Sequence, residues 1–199
     1  MRKPKGIVIT TSEHTEQWFD ECYNSVKDLG YPVLVVVNAG EVDHEGKKFE
    51  SEFMESDGGK FMVQVNNWNG FEMGGILRGT EHFDEFIHLM DTCVITNPEA
   101  IERMFEHNGS LYFCRGFFSY LGKYISDIAI KTGIPRVDDK EQAIFHEHNW
   151  HRKYLANDPN AKQFDPALPV TTEVFEEKNG RNNMVLDNGF IKKWKATYR

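Results

Sequence analysis

Asp91 ends a hydrophobic run, Glu85-Phe86-Ile87-His88-Leu89-Met90, and is followed by Thr92-Cys93-Val94-Ile95. A carboxylate at the end of a buried strand must meet a cation, a donor or water, since an ionised group left unpaired costs several kcal/mol. Its oxygens suit a hard divalent cation, Mg2+ or Mn2+, which takes few protein carboxylates and fills its shell from phosphate and water. The simpler role for such a residue is to cap the next turn by accepting backbone N–H bonds.

Other polar residues collect where strands are expected to end. Thr10-Thr11-Ser12-Glu13 follows one apolar run, Asn38-Ala39-Gly40 a second, and Asn66-Asn67-Trp68-Asn69-Gly70 a third. Such residues are common in turns everywhere, but four polar strand ends in one chain, one of them an aspartate, suit a ligand crevice. Gly70, Gly74 and Gly75 would let backbone approach a ligand closely, although the Walker spacing with its Lys-Ser/Thr is absent.

His146-Glu147-His148-Asn149-Trp150-His151 is a second dense constellation. On a helix His146 and His148 diverge, so the run is not the HExxH zinc signature. It reads either as a solvated helical face with Trp150 packed inward or as a site, with Glu147 as a base and a histidine as a further metal or phosphate contact. Arg181, Lys192, Lys193, Lys195 and Arg199 make the tail locally basic. Folded back over the crevice, one or two of them would neutralise phosphate charge.

The elements that must position these groups follow from periodicity. Gly6–Thr10 and Val33–Val37 are short apolar runs flanking a segment whose Trp18, Phe19, Cys22, Tyr23, Val26 and Leu29 recur at helical spacing, which is a β-α-β unit. Strands apolar on both faces belong inside a sheet covered by helices, with parallel pairing through a right-handed crossover. The fold class is therefore α/β. Further expectations are a strand at Phe61–Val65, a helix from Gly70 to Phe83, and a helix opened by Asn97-Pro98-Glu99 and ending near His107. A strand at Leu111–Cys114, a helix from Ser119 to Lys131, and a long helix capped by Asp138 or Asp139 and running to Leu155 follow. Ala156–Pro169 reads as an extended loop, and Asn188-Gly189 between apolar pairs as a hairpin turn.

The chain has 199 residues, enough for one domain with a substantial core. Its 31 acidic against 23 basic side chains argue against nucleic acid as a partner. Three cysteines without CxxC spacing suit a reducing compartment, and no run is long enough for an integral membrane segment or a signal core. A cytoplasmic protein is expected.

Taken in order, Gly6-Ile7-Val8-Ile9-Thr10-Thr11, Val35-Val36-Val37-Asn38-Ala39-Gly40, Asn69-Gly70-Phe71-Glu72-Met73-Gly74-Gly75-Ile76 and Phe86-Ile87-His88-Leu89-Met90-Asp91-Thr92 resemble the GT-A class of nucleotide-sugar glycosyltransferases, in particular small family 2-like members. The resemblance covers roughly the first half of the chain. It implies a single Rossmann-like domain with a mixed, mostly parallel sheet. Residues 1–95 would form the nucleotide-sugar half, 96–170 the acceptor side, and 171–199 a C-terminal hairpin and tail.

The resemblance further implies a UDP-sugar or similar donor, a glycan or other hydroxyl acceptor, and Mn2+ or Mg2+ as cofactor. Thr10, Thr11, Ser12, Asn38, Asn67, Gly74 and Thr92 become nucleotide contacts, and Asp91 the metal ligand. This chain has Asp91-Thr92-Cys93 where the family carries two aspartates, which leaves His146 or His148 as substitute ligands. An inverting transfer needs a base, for which Glu147 comes first, then Asp139 and Asp138. A retaining transfer, a nucleotidyltransferase and a non-catalytic nucleotide- or sugar-binding module are the alternatives.

Overall fold

A computed structural model describes residues 3–12, 16–39, 51–56, 58, 60–68, 70–107, 111–112, 118–121, 132–135, 137, 139–158, 160, 162–163, 172–178, 181–187, 189 and 191–195. The first strand, β1 (Lys3–Ser12), leads through helix α1 (Glu16–Asn24) to β2 (Val33–Asn38), and the two strands pair in parallel. Then come β3 (Ser51–Ser56), β4 (Phe61–Asn66), helix α2 (Phe71–His82) and β5 (Phe83–Met90). Next in the chain are β6 (Cys93–Ile95), helix α3 (Glu99–Glu106), β7 (Leu111–Tyr112), β8 (Phe118–Leu121), helix α4 (Lys140–Leu155) and β9 (Lys162–Gln163). The strands β10 (Thr172–Lys178), β11 (Arg181–Asp187) and β12 (Ile191–Lys195) close the order.

The main sheet runs β3-β4-β2-β1-β5-β8-β7-β9, with β4, β2, β1 and β5 mutually parallel and β3 and β8 antiparallel to their neighbours. The α/β class read from periodicity is thus the class observed. A smaller antiparallel sheet, β10-β11-β12-β6, contains the expected hairpin as the β11–β12 pair, and Gly189 between those strands takes a φ of 81°. Glycine is the residue that adopts this conformation without strain.

Strand alternation divides the core into two layers. Ile7, Ile9, Val33, Val35, Ile87 and Leu89 face α1 and α3, where Cys22, Val26, Ile101, Met104 and Phe105 pack, together with Cys93, Ile95 and Ile191 of the small sheet. Val8, Leu34, Val36, Met62 and Phe86 face α2, with Val137 and, from α4, Trp150 in the same cluster.

The strand expected to end at Asp91 does so: β5 stops at Met90, Asp91 and Thr92 turn, and β6 joins the other sheet by pairing with β12. Two other sequence expectations are corrected. A helix does not begin at Ser119, because Phe118–Leu121 pairs antiparallel with β5, from Phe86↔Leu121 to Leu89↔Phe118. Closely spaced apolar residues fit either periodicity, and the edge of β5 supplies the hydrogen bonds that decide for a strand. Within the expected extended loop, Ala156–Pro169, Lys162–Gln163 forms β9, paired with β7. Residues 122–131 of the expected helix lie outside the described residues.

Elsewhere boundaries shift: β1 extends beyond Gly6–Thr10 to Lys3–Ser12, and α1 stops at Asn24, short of Val26 and Leu29. Asn97 acts at the start of α3 by accepting the Glu99 N–H at 3.0 Å, one residue before the helix's Pro98 cap. Asp139 caps α4, its Oδ1 accepting the Gln142 N–H at 2.8 Å.

Candidate functional site

The carboxyl ends of β1, β2, β4 and β5 line up along one edge, and register fixes which face each polar side chain takes. Thr11 follows Ile7 and Ile9 onto the α1 face, where its hydroxyl donates to Asp91 Oδ2 at 2.7 Å. The Asp91 backbone N–H also donates to the Thr10 carbonyl at 3.0 Å, tying the turn to β1. Asp91 is buried, so any ligand reaching its carboxylate must displace what covers it. Thr11 and Ser12, with Phe19, Val35, Val37, Phe61 and Val63, line a cavity of about 330 Å³ on this face.

The α2 face uses its polar residues differently. Asn66 Nδ2 donates to Asn38 Oδ1 at 3.0 Å, Arg78 Nε donates to Asn66 Oδ1 at 2.8 Å, and Asn38 Nδ2 donates to the Phe71 carbonyl at 2.9 Å. Phe71 has a φ of 46°, a strained conformation for a side chain of this size, and the Asn38 bond helps hold it. Arg78 also pairs with Glu81 at 2.8 Å, and its guanidinium lies 4.9 Å from the Trp68 ring centre. Asn38 thus anchors α2 through its side-chain amide.

The glycines of α2 serve the same seating. A Cβ on Gly74 would come within 2.8 Å of Asn38 Oδ1, and one on Gly75 would strike Thr10 Oγ1 and lie 2.9 Å from His88 Nε2. Their close approach is to the strand side chains. Gly74 also borders a second cavity of about 220 Å³, between α2 and Ile134-Pro135-Val137.

Beneath Gly75, Thr10 Oγ1 and His88 Nε2 share a hydrogen bond of 2.8 Å, and His88 Nδ1 lies 3.8 Å from Glu72 Oε1. Neither His88 nor Glu72 was singled out by sequence reasoning. The signal was available: an imidazole inside a strand buried on both faces needs a polar partner.

The remaining candidates are dispersed. Thr92 is half-buried and its carbonyl accepts the Trp194 N–H at 3.0 Å. Asn67 is half-buried in the bend after β4. Asp139 is exposed and engaged as a cap. His146, on α4, is half-buried with its ring against Phe145. Asp138 and the side chains of Glu147 and His148 lie outside the described residues. Among the described residues no three His, Cys, Asp or Glu gather in a group able to hold a metal ion.

Cys93, two residues after Asp91, is buried in the core. Burial pushes its thiol up to about 11, with Lys193 acting against the shift and Asp91 adding to it. Cys22 is also raised well above the usual thiol range, first by burial and then by Cys93 and Asp91. Both stay protonated near neutrality, so neither is an active nucleophile or ligand there.

The small sheet borders the same turn. Register sets Lys193 opposite Cys93, and Trp194 stacks on Trp18 of α1 with ring centres 5.8 Å apart. Of the basic tail, Lys193 is therefore carried to the Asp91 turn, whereas Lys192 pairs with Asp187 at 4.0 Å.

No family model matches the chain, and no curated protein matches it in sequence. Among solved structures it is similar to S. aureus TarS, with a TM-score of 0.49 and 11% identity over 82% of this chain and 35% of that one. The chain spans about a third of that protein's length. A likeness at this level assigns no activity. Among the described residues no helix is long and apolar enough to cross a membrane.

Proposed function

We propose that the chain is a glycosyltransferase that moves a sugar from a nucleotide-diphosphate donor, a UDP-sugar first, to an acceptor hydroxyl with inversion. One observation carries this reading: Thr11, whose hydroxyl holds the Asp91 carboxylate at the end of β5, is with Ser12 the polar lining of a cavity of about 330 Å³. The apolar walls of that cavity, with Phe19 and Phe61 among them, suit the flat face of a nucleobase, and the two hydroxyls suit its polar rim or the ribose.

A divalent cation fits this arrangement in one form. Mg2+ and Mn2+ accept a single protein carboxylate when phosphate and water supply the other ligands, and the Thr11 hydroxyl holds Asp91 in place for that role. Bound there, the cation would act as a Lewis acid toward the diphosphate leaving group. Asp91 would hold it, Thr11 would orient Asp91, and Lys193 on the neighbouring strand would add positive charge near the phosphates.

The test is to incubate the protein with UDP-glucose, UDP-galactose, UDP-N-acetylglucosamine and their GDP and TDP counterparts, with Mn2+ and methyl glycosides as acceptors, and to measure nucleotide release. Release above the protein-free rate with at least one donor is expected. Nucleotide binding without release from any donor would make the protein a binding module, and neither binding nor release would end the nucleotide reading.

A further inference from the structure

Glu72 is a second carboxylate at the Asp91 end of the sheet, placed on the other face. It lies in the first turn of α2, its side chain is 14% exposed, and its Oε1 stands 3.8 Å from the buried His88. Its negative charge is among the influences on the Cys93 thiol, which places it within electrostatic range of the turn that carries Asp91. Asp91 meets Thr11 on the α1 face and Glu72 meets His88 on the α2 face, so the two carboxylates flank the strand edge from opposite sides. The segment expected to form the acceptor side packs on the face of Glu72: Val137 and Trp150 belong to its core, with Ile134 and Ala143 against them.

Resting on the sugar-transfer reading, we propose that Glu72 is the base that accepts the proton of the acceptor hydroxyl, with His88 as its positioning residue. In that step the acceptor oxygen bonds to the anomeric carbon while its proton passes to a Glu72 oxygen. The anomeric C–O bond to the diphosphate breaks, and its electron pair leaves with the nucleotide diphosphate.

Several features suit Glu72 to this task. Its side chain keeps a small opening to solvent while His88 has almost none, so a substrate can reach the carboxylate and not the imidazole. It sits in the first turn of α2, beside the helix's N-terminal N–H groups. His88 is fixed by Thr10 at 2.8 Å and seated under Gly75, so the group beside Glu72 cannot drift. The separation of 3.8 Å exceeds a hydrogen bond but is close enough for charge attraction whenever the imidazole is protonated. The strained Phe71 directly precedes it, held by Asn38, which is where backbone strain serves placement of a reacting group.

The experiment compares Glu72→Gln, Glu72→Asp and His88→Gln with the unaltered protein. Nucleotide release is followed with the UDP-sugars and methyl glycosides above, UDP affinity by calorimetry, and the fold by thermal melting. Glu72→Gln is expected to lower kcat about 10²- to 10⁴-fold with UDP affinity and melting unchanged, and Glu72→Asp to recover part of the loss. His88→Gln is expected to lower kcat while leaving the donor KM in place. Release by Glu72→Gln at the unaltered rate, or a loss of UDP affinity parallel to the loss of rate, would overturn the assignment and leave the transfer reading standing. No release by the unaltered protein with any donor would overturn both.

Discussion

On the α1 side of the sheet edge, Thr11 holds Asp91 and lines a mostly apolar cavity; on the α2 side, Asn38 and Asn66 hold a helix and Thr10 holds His88. Both sets occupy the ends of the same parallel strands, and they differ only in which face alternation gives them. The α1 side keeps space beside its polar groups, whereas the α2 side fills that space with Gly74 and Gly75. Polar strand ends alone therefore do not define a crevice. On the proposed reading, what defines it is a polar end that itself lines a cavity, as Thr11 and Ser12 do.

The comparison breaks most sharply at Asp91. Asp91→Ala is expected to weaken Mn2+-dependent UDP binding by at least about a hundredfold, with far-UV circular dichroism unchanged; unaltered affinity by calorimetry would remove this face from the site. On the opposite face, the Asn38–Asn66–Arg78 network should answer in stability instead. Asn66→Ala strips buried Arg78 and Asn38 of a partner and is expected to cost about 2–3 kcal/mol in urea unfolding, with UDP affinity per folded molecule unchanged.

Smaller effects sharpen the contrast. Val37→Phe, which fills part of the cavity, is expected to weaken UDP about tenfold, or roughly 1.4 kcal/mol, while the melting temperature holds; equal affinity would place the nucleobase elsewhere. The smallest effect is at the far end of α2. Burial first, then Arg78 and Lys3, lower the pKa of His82, against the opposing pull of Glu81 and Glu55. The unfolded state then binds more protons, so stability is complete above the unfolded value of about 6.5 and is lost as pH falls through the lowered folded value. Melting scans from pH 7.5 to pH 5 should show a smaller decline for His82→Gln than for the unaltered protein.

Much of the architecture was legible in the sequence because its signals are local. The Val33–Val37 run, the helical recurrence from Trp18 to Leu29, the Asp139 cap and the Asn188-Gly189 turn each specify an element from a few neighbouring residues. The role of Phe118–Leu121 was not legible, because its strand character comes from the β5 edge. The same holds for Asp91: nothing near it in sequence reveals that β6 leaves the main sheet to pair with β12. Of the site, alternation could have placed Asn38 with Leu34 and Val36 on one face and Thr11 with Ile7 and Ile9 on the other. It could not tell which face a helix would press closely, and that decides whether Asn38 meets a ligand or the Phe71 carbonyl.

The bond from the Trp194 N–H to the Thr92 carbonyl joins groups about a hundred residues apart in the chain. Closing so long a loop carries an entropic cost before any contact compensates it, and pairings of this range form slowly. The β1-α1-β2 unit and α2 can assemble from near neighbours, but the Asp91 turn acquires its β12 neighbour only when that distant strand docks and Trp194 stacks on Trp18. The turn is accordingly expected to gain its full set of contacts only after β12 has docked. Hydrogen exchange should find Cys93–Ile95 opening together with Ile191–Lys195, ahead of the parallel strands that support them.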